Sequence, residues 1–305
     1  ALSIYASAGV SGAHLNPAVS LTLALMRPND FPRKHLLPYA IAQLIGAILG
    51  SAVVYMVWHN PLARQDNVLG VERGDDGSVK TAMAFGMYFP NPRAGLDKDI
   101  GAFGACGIEA LGTGILMFMI LSLTDERNPT KPPAGMAPFF IGFTVSVIIA
   151  LLAPLTQAGL NPARDFGPRI VAVMAGWGSA AIPGPRNGFW AYIIGPCLGA
   201  PLGALLYDYG IQPGLPSEEE EAGKLKRQWS TAGSFVNDMS SRDLPKGLPK
   251  GLPKVRPINS DAILPVETPV TDFMGKKAPP SGSGEIVILP VEGPDPDFVT
   301  KIQGA

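Results

Sequence analysis

The stretch "SGAHLNPAVSLTLAL", Ser11 to Leu25, combines features that a single ordinary helix does not. Its Asn-Pro pair opens an apolar run of ten residues, Pro17 to Met26, which Arg27 and Pro28 close. Ten helical residues rise ~15 Å, half of a ~30 Å hydrocarbon core. The run is too short to span a membrane and too apolar for a surface helix. A second stretch, "GLNPARDFGPRI", Gly159 to Ile170, repeats the Leu-Asn-Pro-Ala of the first and also leads into a short apolar run. In both places a polar break and then a full apolar segment follow. Two such motifs, each ahead of a half-span, predict a repeated membrane fold with broken helices.

The rest of the chain fits a membrane protein. Only 16% of the 305 residues are charged, against the roughly 25% usual for soluble domains. The net charge of -1 offers nothing to nucleic acid, so no nucleic-acid partner is expected. Cys106 and Cys197 both sit in apolar runs, which argues against a disulfide framework. Four long apolar segments stand out: Leu36–Trp58, Ala102–Leu123, Ala134–Ala163 and Asn187–Tyr207. Each approaches or exceeds the ~20 residues that cross a bilayer. Their glycines, among them Gly46, Gly50, Gly114, Gly199 and Gly203, suit close helix packing in lipid. After Gly210 the composition changes to Pro, Ser, Lys and Glu, with "SEEEEA" at Ser217–Ala222 and a doubled "KGLP" from Lys246. Such a segment buries no core and predicts a disordered tail. The expected domains are therefore a channel-like unit at 1–210 and a tail at 211–305.

The repeat also sets an expectation about the start of the chain. Two spans precede the second motif, but only about fifteen residues precede the first. The first repeat lacks one whole span and part of another, so the chain is expected to be N-terminally truncated. Three spans per repeat is an odd number. The two halves then lie in the membrane in opposite orientation, and their half-helices enter from opposite faces to meet at the midplane. Non-helical backbone at that depth is tolerated beside protein or a water-filled cavity. Asn16 and Asn161 are suited to cap the half-helices, and Pro17 and Pro162 to stand at the first helical position. Each capping Asn is expected to keep its NH2 group free to donate. Two positive dipole ends facing one point favour a neutral hydrogen-bond acceptor and repel cations.

The paired Asn-Pro-Ala motifs, Asn16-Pro17-Ala18 and Asn161-Pro162-Ala163, resemble those of the aquaporin or major intrinsic protein family. "AGVSGAHLNPAVS" and "GLNPARDFGPRI" are similar to its glycerol-facilitator branch, the aquaglyceroporins. The resemblance covers about residues 1–210. It implies an all-α membrane fold with six spans and two half-helices per protomer. It also implies tetramers with a pore in each protomer, and passage of water and small neutral polyols. Asp165 follows Arg164 where glycerol facilitators have Asp, and Arg169 matches its basic partner. The simplest structural expectation for the two is an i,i+4 ion pair. Trp58 supplies an aromatic near the end of its span, and Ile193 is non-aromatic where water channels tend to carry Trp. His59–Asp99, with "YFPNP" at Tyr88–Pro92, resembles the extended loop of that branch.

Other positions depart from the branch. Tyr192 stands where glycerol facilitators usually have Pro. Ala158 replaces a Phe of the constriction, and Ile149 replaces a Gly. Arg164 opposes the dipole of its own helix, and intramembrane charge is costly and usually functional. Its expected role is a fixed cation at the narrow point of a pore. Glu109, the one charge in its span, is expected to hold the backbone of the "QAGLNPA" loop. His14 is either a local hydrogen-bond partner, responsive to pH, or a packing residue.

The sequence holds no nucleophile elbow, phosphate loop, metal-ligand spacing or paired acids, and neither enzyme activity nor a cofactor is expected. The reading is a passive channel for glycerol, other small neutral solutes such as urea, and water. A water-selective aquaporin is an alternative. An ion-coupled transporter also uses broken helices, but calls for intramembrane acids beyond Glu109. A non-conducting membrane scaffold becomes the reading if the chain truly starts at Ala1. Arg27, Arg33 and Lys34 follow the first half-helix, and Arg127 and Lys131 lie at Thr124–Pro133. By the positive-inside rule both segments face the cytoplasm. The expected location is a multi-pass protein in plasma-membrane lipid, a homotetramer with a cytoplasmic tail.

Overall fold

The computed structural model describes residues 1–95, 100–133 and 135–217, together with Glu220, Gly223 and Arg227. Among these residues every regular element is helical. The acidic run and the Lys-Gly-Leu-Pro repeats assigned to a tail lie almost wholly outside the described residues.

A short apolar helix, α1 (Leu2–Ser11), ends on Gly12 in the left-handed region, φ 69°. A non-helical loop leads to the first half-helix, α2 (Pro17–Met26), whose limits are those of the apolar run. The long helix α3 (Leu36–Leu69) follows, then a one-turn helix α4 (Val79–Ala82) within a looped segment. The second repeat contains α5 (Ala102–Thr124), α6 (Ala137–Thr156) and the second half-helix α7 (Pro162–Ala172). A π-helical turn over Val173–Trp177 continues α7 until the backbone kinks at Gly176 (φ 102°) and Gly178 (φ 45°), and a short α8 (Gly178–Ala181) follows. The last span is α9 (Ala191–Gly210).

Four helical stretches among the described residues are long and apolar enough to cross a membrane: Arg33–Leu69, Ala102–Thr124, Ala137–Thr156 and Pro185–Gly214. The two short apolar helices are Leu2–Ser11 and Pro17–Met26. Large apolar side chains along α3, among them Leu37, Ile41, Leu49 and Val57, are exposed. In water that surface would be costly; against lipid tails it costs nothing.

The segment from His59 is not loop from its start, because α3 continues ten residues beyond it to Leu69. Pro61 is tolerated inside the helix. The helix stops where Gly70 adopts φ 64° and its N–H turns back to the Asn67 carbonyl. The extension is polar, with Arg64 and Asp66, so it adds helix without adding span.

The core follows from small residues. A Cβ on Gly199 would stand 1.9 Å from the Ala110 carbonyl oxygen, and one on Gly203 would stand 2.0 Å from that of Gly114. So α5 and α9 touch backbone to backbone, the close approach that glycine permits in membrane helices. Helix α7 lies almost as close to α3, where a Cβ on Gly167 would meet Ala47 at 2.7 Å. The first half-helix is held in an apolar cluster of Val19, Leu23 and Ala24 with Met117 and Leu121 of α5 and Ala200, Ala204 and Tyr207 of α9. Spans of one repeat thus cradle the half-helix of the other.

Candidate functional site

The two Asn-Pro pairs form matching caps. Asn16 is extended (φ -146°, ψ 120°) and its Oδ1 accepts from the Ala18 N–H at 2.9 Å. Asn161 is extended too (φ -152°, ψ 112°), and its Oδ1 accepts from the N–H groups of Ala163 and Arg164 at 3.1 and 3.2 Å. Pro17 and Pro162 open the helices, where a missing N–H costs nothing.

The NH2 groups are not wholly free, contrary to expectation. Asn16 Nδ2 donates to the Leu160 carbonyl at 2.8 Å, and Asn161 Nδ2 donates to the Leu15 carbonyl at 2.8 Å. Each half-helix is thus tied to the loop that precedes the other. An amide NH2 carries two hydrogens, so one on each Asn remains after the tie. The exchange is possible because Leu15 and Leu160 each stand directly before their Asn in the repeated motif.

The loops before the caps are conformationally unusual. Ala13, Gln157, Ala158 and Leu160 all have φ between 52° and 64°, a region that non-glycine residues rarely enter. Such residues cost of order 1–3 kcal/mol each and persist where their surroundings fix them. Glu109, fully buried, fixes the second loop. Its Oε1 accepts from Gly159 N–H at 3.0 Å and from the Thr156 hydroxyl at 2.6 Å, and its Oε2 accepts from Leu160 N–H at 2.7 Å. The first loop is fixed by Gln43 of α3, whose Nε2 donates to the His14 carbonyl and lies 3.0 Å from Ser20 Oγ. Sequence reasoning passed over Gln43. Its signal was that it is the only amide side chain in the apolar run Leu36–Trp58.

His14 packs its ring against Phe31 (4.6 Å between centroids) and Tyr39 (5.5 Å). Its Nδ1 is buried without a hydrogen-bond partner among the described residues. The ring also lines a cavity of about 810 Å3, together with Leu15, Asn161, Ala163 and Arg164. Arg164 is accessible in this cavity, and its guanidinium makes no hydrogen bond among the described residues.

Next to Arg164 the chemistry is the opposite, with every charge tied. Arg169 Nε donates to Asp165 Oδ2 at 2.7 Å, and both side chains are buried. Asp165 Oδ1 accepts from the Met87 N–H at 2.6 Å. Arg169 also donates to the carbonyls of Ala181 (2.6 Å) and Met87, and its guanidinium lies 4.7 Å from the centre of the Tyr88 ring. The ion pair therefore fastens the "YFPNP" segment to α7. That segment is fastened to the second loop and to the end of α6 as well: Tyr88 N–H donates to Gln157 Oε1 at 2.8 Å, and Asn91 Nδ2 to the Ala153 carbonyl at 2.9 Å. This part of the chain is outside the spans, and burial raises the Tyr88 phenol to about 12.

The remaining candidates are placed as follows. Tyr192 is fully buried and donates its hydroxyl to the Thr156 carbonyl at 2.9 Å, bracing the second loop. Ile193 is half-buried beside it. Ala18 and Ala163 are buried in the first turns of the half-helices. Ala158 is buried in an apolar cluster with Leu160, Leu116 and Ile148 and does not line the cavity. Ile149 and Trp58 face outward, 39% and 57% exposed, and are not among the cavity residues either.

Comparison with known proteins agrees with this architecture. The major intrinsic protein family model matches residues 1–207. A glycerol uptake facilitator of Haemophilus influenzae is 42% identical over 218 residues, 71% of this chain and 79% of the relative. A propanediol uptake facilitator of Citrobacter freundii is 40% identical over 217 residues, covering 70% and 77%. The glycerol uptake facilitator of Escherichia coli K12 is 40% identical over 220 residues, covering 72% and 75%. Among solved structures, the aquaglyceroporin of Plasmodium falciparum superposes with a TM-score of 0.57 at 30% identity, covering 69% of this chain and 77% of that one. The chain belongs to the major intrinsic protein family, a family of integral membrane channels.

Proposed function

We infer that the protein is a passive transmembrane channel for glycerol, other small neutral solutes and water. The observation that carries this is the junction of the two half-helices. Two capped N-termini are tied to each other's loops beside a cavity that holds an untied guanidinium. At such a point the remaining Asn N–H groups and Arg164 donate to hydroxyl oxygens, and the apolar side chains of the wall take the carbon face of a polyol. The positive dipole ends and Arg164 together disfavour cations, protons included. The relatives named for glycerol and propanediol uptake support a polyol as permeant. The Asp165–Arg169 pair supports it too, since it holds the "YFPNP" segment back against α7.

The roles that go with this reading are as follows. Asn16, Asn161 and Arg164 face the permeant, and His14 belongs to the wall near them. Asp165, Arg169, Glu109, Tyr192 and the motif prolines and alanines hold the loops in place. Residues 1–210 form the channel unit and 211–305 a cytoplasmic tail. The assembly is a homotetramer in plasma-membrane lipid.

Coupled transport finds little support, because both oxygens of Glu109 are engaged by the second loop. Isotopic glycerol uptake into proteoliposomes decides between the two mechanisms. Uptake should exceed that of empty vesicles and stay unchanged when proton and sodium gradients are dissipated. Loss of uptake on dissipation would replace the channel with a coupled transporter.

A further inference from the structure

The inner ends of the half-helices are each tied to the loop that precedes the other, and apolar packing holds their sides. The outer ends are held differently, and in the same way at both mouths. At the end of α2, Arg27 Nη1 donates to the Met26 carbonyl at 3.0 Å, in the last turn of the half-helix. The same guanidinium forms a two-pronged ion pair with Asp208 near the end of α9, with Nη1 on Oδ2 at 3.0 Å and Nη2 on Oδ1. Beyond α7, Arg73 Nη1 donates to the Ala175 carbonyl at 3.0 Å, within the π-helical turn that prolongs the second half-helix. Its Nε donates to Asp66 near the end of α3 at 2.9 Å.

The connectivity is crossed. Asp208 stands on the span that follows the second half-helix and holds the end of the first. Asp66 stands on the span that follows the first half-helix and holds the end of the second. The arginines are not equivalent positions of the repeat, since Arg27 follows its half-helix directly and Arg73 comes from the loop after α3. The common feature is a cation on the C-terminal carbonyls of each half-helix, where the dipole is negative, anchored by a carboxylate of the other repeat.

Both pairs are shielded enough to hold a geometry. The side chains are 23% and 16% exposed at Arg27 and Asp208, and 19% and 8% at Arg73 and Asp66. Fully exposed pairs would contribute little. The Arg73–Asp66 pair has further support. Arg73 Nη1 also donates to the Tyr55 hydroxyl at 2.9 Å, and its guanidinium lies 4.0 Å from the centre of the Trp177 ring. The Thr81 hydroxyl donates to Asp66 Oδ1 at 2.6 Å and accepts from Trp177 Nε1 at 3.0 Å.

We propose that Arg27–Asp208 and Arg73–Asp66 are two crossed clamps, one at each mouth, that set the tilt of the half-helices and through it the aperture at Asn16, Asn161 and Arg164. These four are positioning residues and touch no permeant. Capture by the opposite repeat makes the aperture depend on both halves at once, so loosening one mouth disturbs a single shared narrow point.

The proposal rests on the channel reading, and the test separates the two. Glycerol and water permeabilities are measured on proteoliposomes carrying the protein, Asp208→Asn, Asp66→Asn and the conservative Asp208→Glu and Asp66→Glu, at matched incorporation. Each Asn variant should change the glycerol-to-water ratio by about threefold or more, and each Glu variant should return it towards the parent value. A general loss of folded protein would lower both permeabilities together and leave the ratio alone. Unchanged ratios in both Asn variants, with both permeabilities close to the parent's, would overturn the clamps. Should Asp208→Asn fail to incorporate, Arg27→Lys is read instead. It keeps the charge but not the fork that reaches both Asp208 and Met26, and an unchanged ratio there overturns the Arg27–Asp208 clamp. A parent protein that moves no glycerol would overturn the channel reading, and the clamps with it.

Discussion

At the scale of single residues, the site separates charges that are tied from one that is not. Asp165, Arg169 and Glu109 are buried, and hydrogen bonds engage each of them. Each serves as a fixed strut, because a buried charge left without partners is prohibitive. Arg164, one residue before Asp165, is accessible and keeps its donors unspent among the described residues. Its position costs energy, since it opposes the dipole of its own helix, and that cost is the physical reason to assign it a role in exclusion. Replacing Arg164 with Val removes the fixed cation while the ties of Asn16 and Asn161 remain. Proton or small-cation conductance of the reconstituted variant should rise above that of the parent protein. Conductance equal to the parent's would remove Arg164 from the exclusion mechanism. The residue-level features legible in the sequence were those with local causes. An Asn before a Pro and an apolar run is a cap whatever surrounds it. The second partners of those Asn residues, Leu15 and Leu160, were not legible. They depend on two segments meeting in space, and nothing local to either motif encodes the exchange.

At the scale of elements, helix limits followed sequence where a chemical boundary was sharp. Helix α2 begins at the Pro after its cap and ends at Met26, just before the Arg that closes the apolar run. Helix α3 overran its apolar segment, because hydropathy marks where lipid ends and not where helix ends; Leu62, Ala63, Arg64 and Gln65 are all good helix formers. The glycines acquire distinct meanings only in the packed structure. Gly199 and Gly203 of α9 lie against the α5 backbone, whereas a Cβ on Gly107 of α5 would have no neighbour within 4 Å. Replacing Gly199 with Val should force α5 and α9 apart and destabilise the protein by roughly 1–3 kcal/mol or more. Replacing Gly107 with Ala should be neutral or slightly stabilising, as expected for an unopposed helical site. Thermal unfolding in detergent compares the two. Equal melting temperatures would mean that the α5–α9 contact is not as close as described.

At the scale of the molecule, the repeat explains what neither half does alone. A ten-residue helix cannot cross a bilayer, and an isolated half-helix would leave its first N–H groups without partners in lipid. Each half-helix has first-turn N–H groups capped by its own Asn, Ala18 in one and Ala163 and Arg164 in the other, and each Asn is also tied to the opposite loop. In the proposed channel the same junction presents the spare Asn donors to the permeant. Catalytic machinery has no place in this account, which needs only a path, two donors, one fixed cation and an apolar wall. The most direct test is stopped-flow light scattering on proteoliposomes under an inward glycerol gradient, with water permeability measured on the same vesicles. The account predicts re-swelling clearly faster than in empty vesicles, alongside raised water permeability. Re-swelling no faster than in empty vesicles, with water flow raised, would contradict the polyol pathway; no acceleration of either would contradict the channel itself.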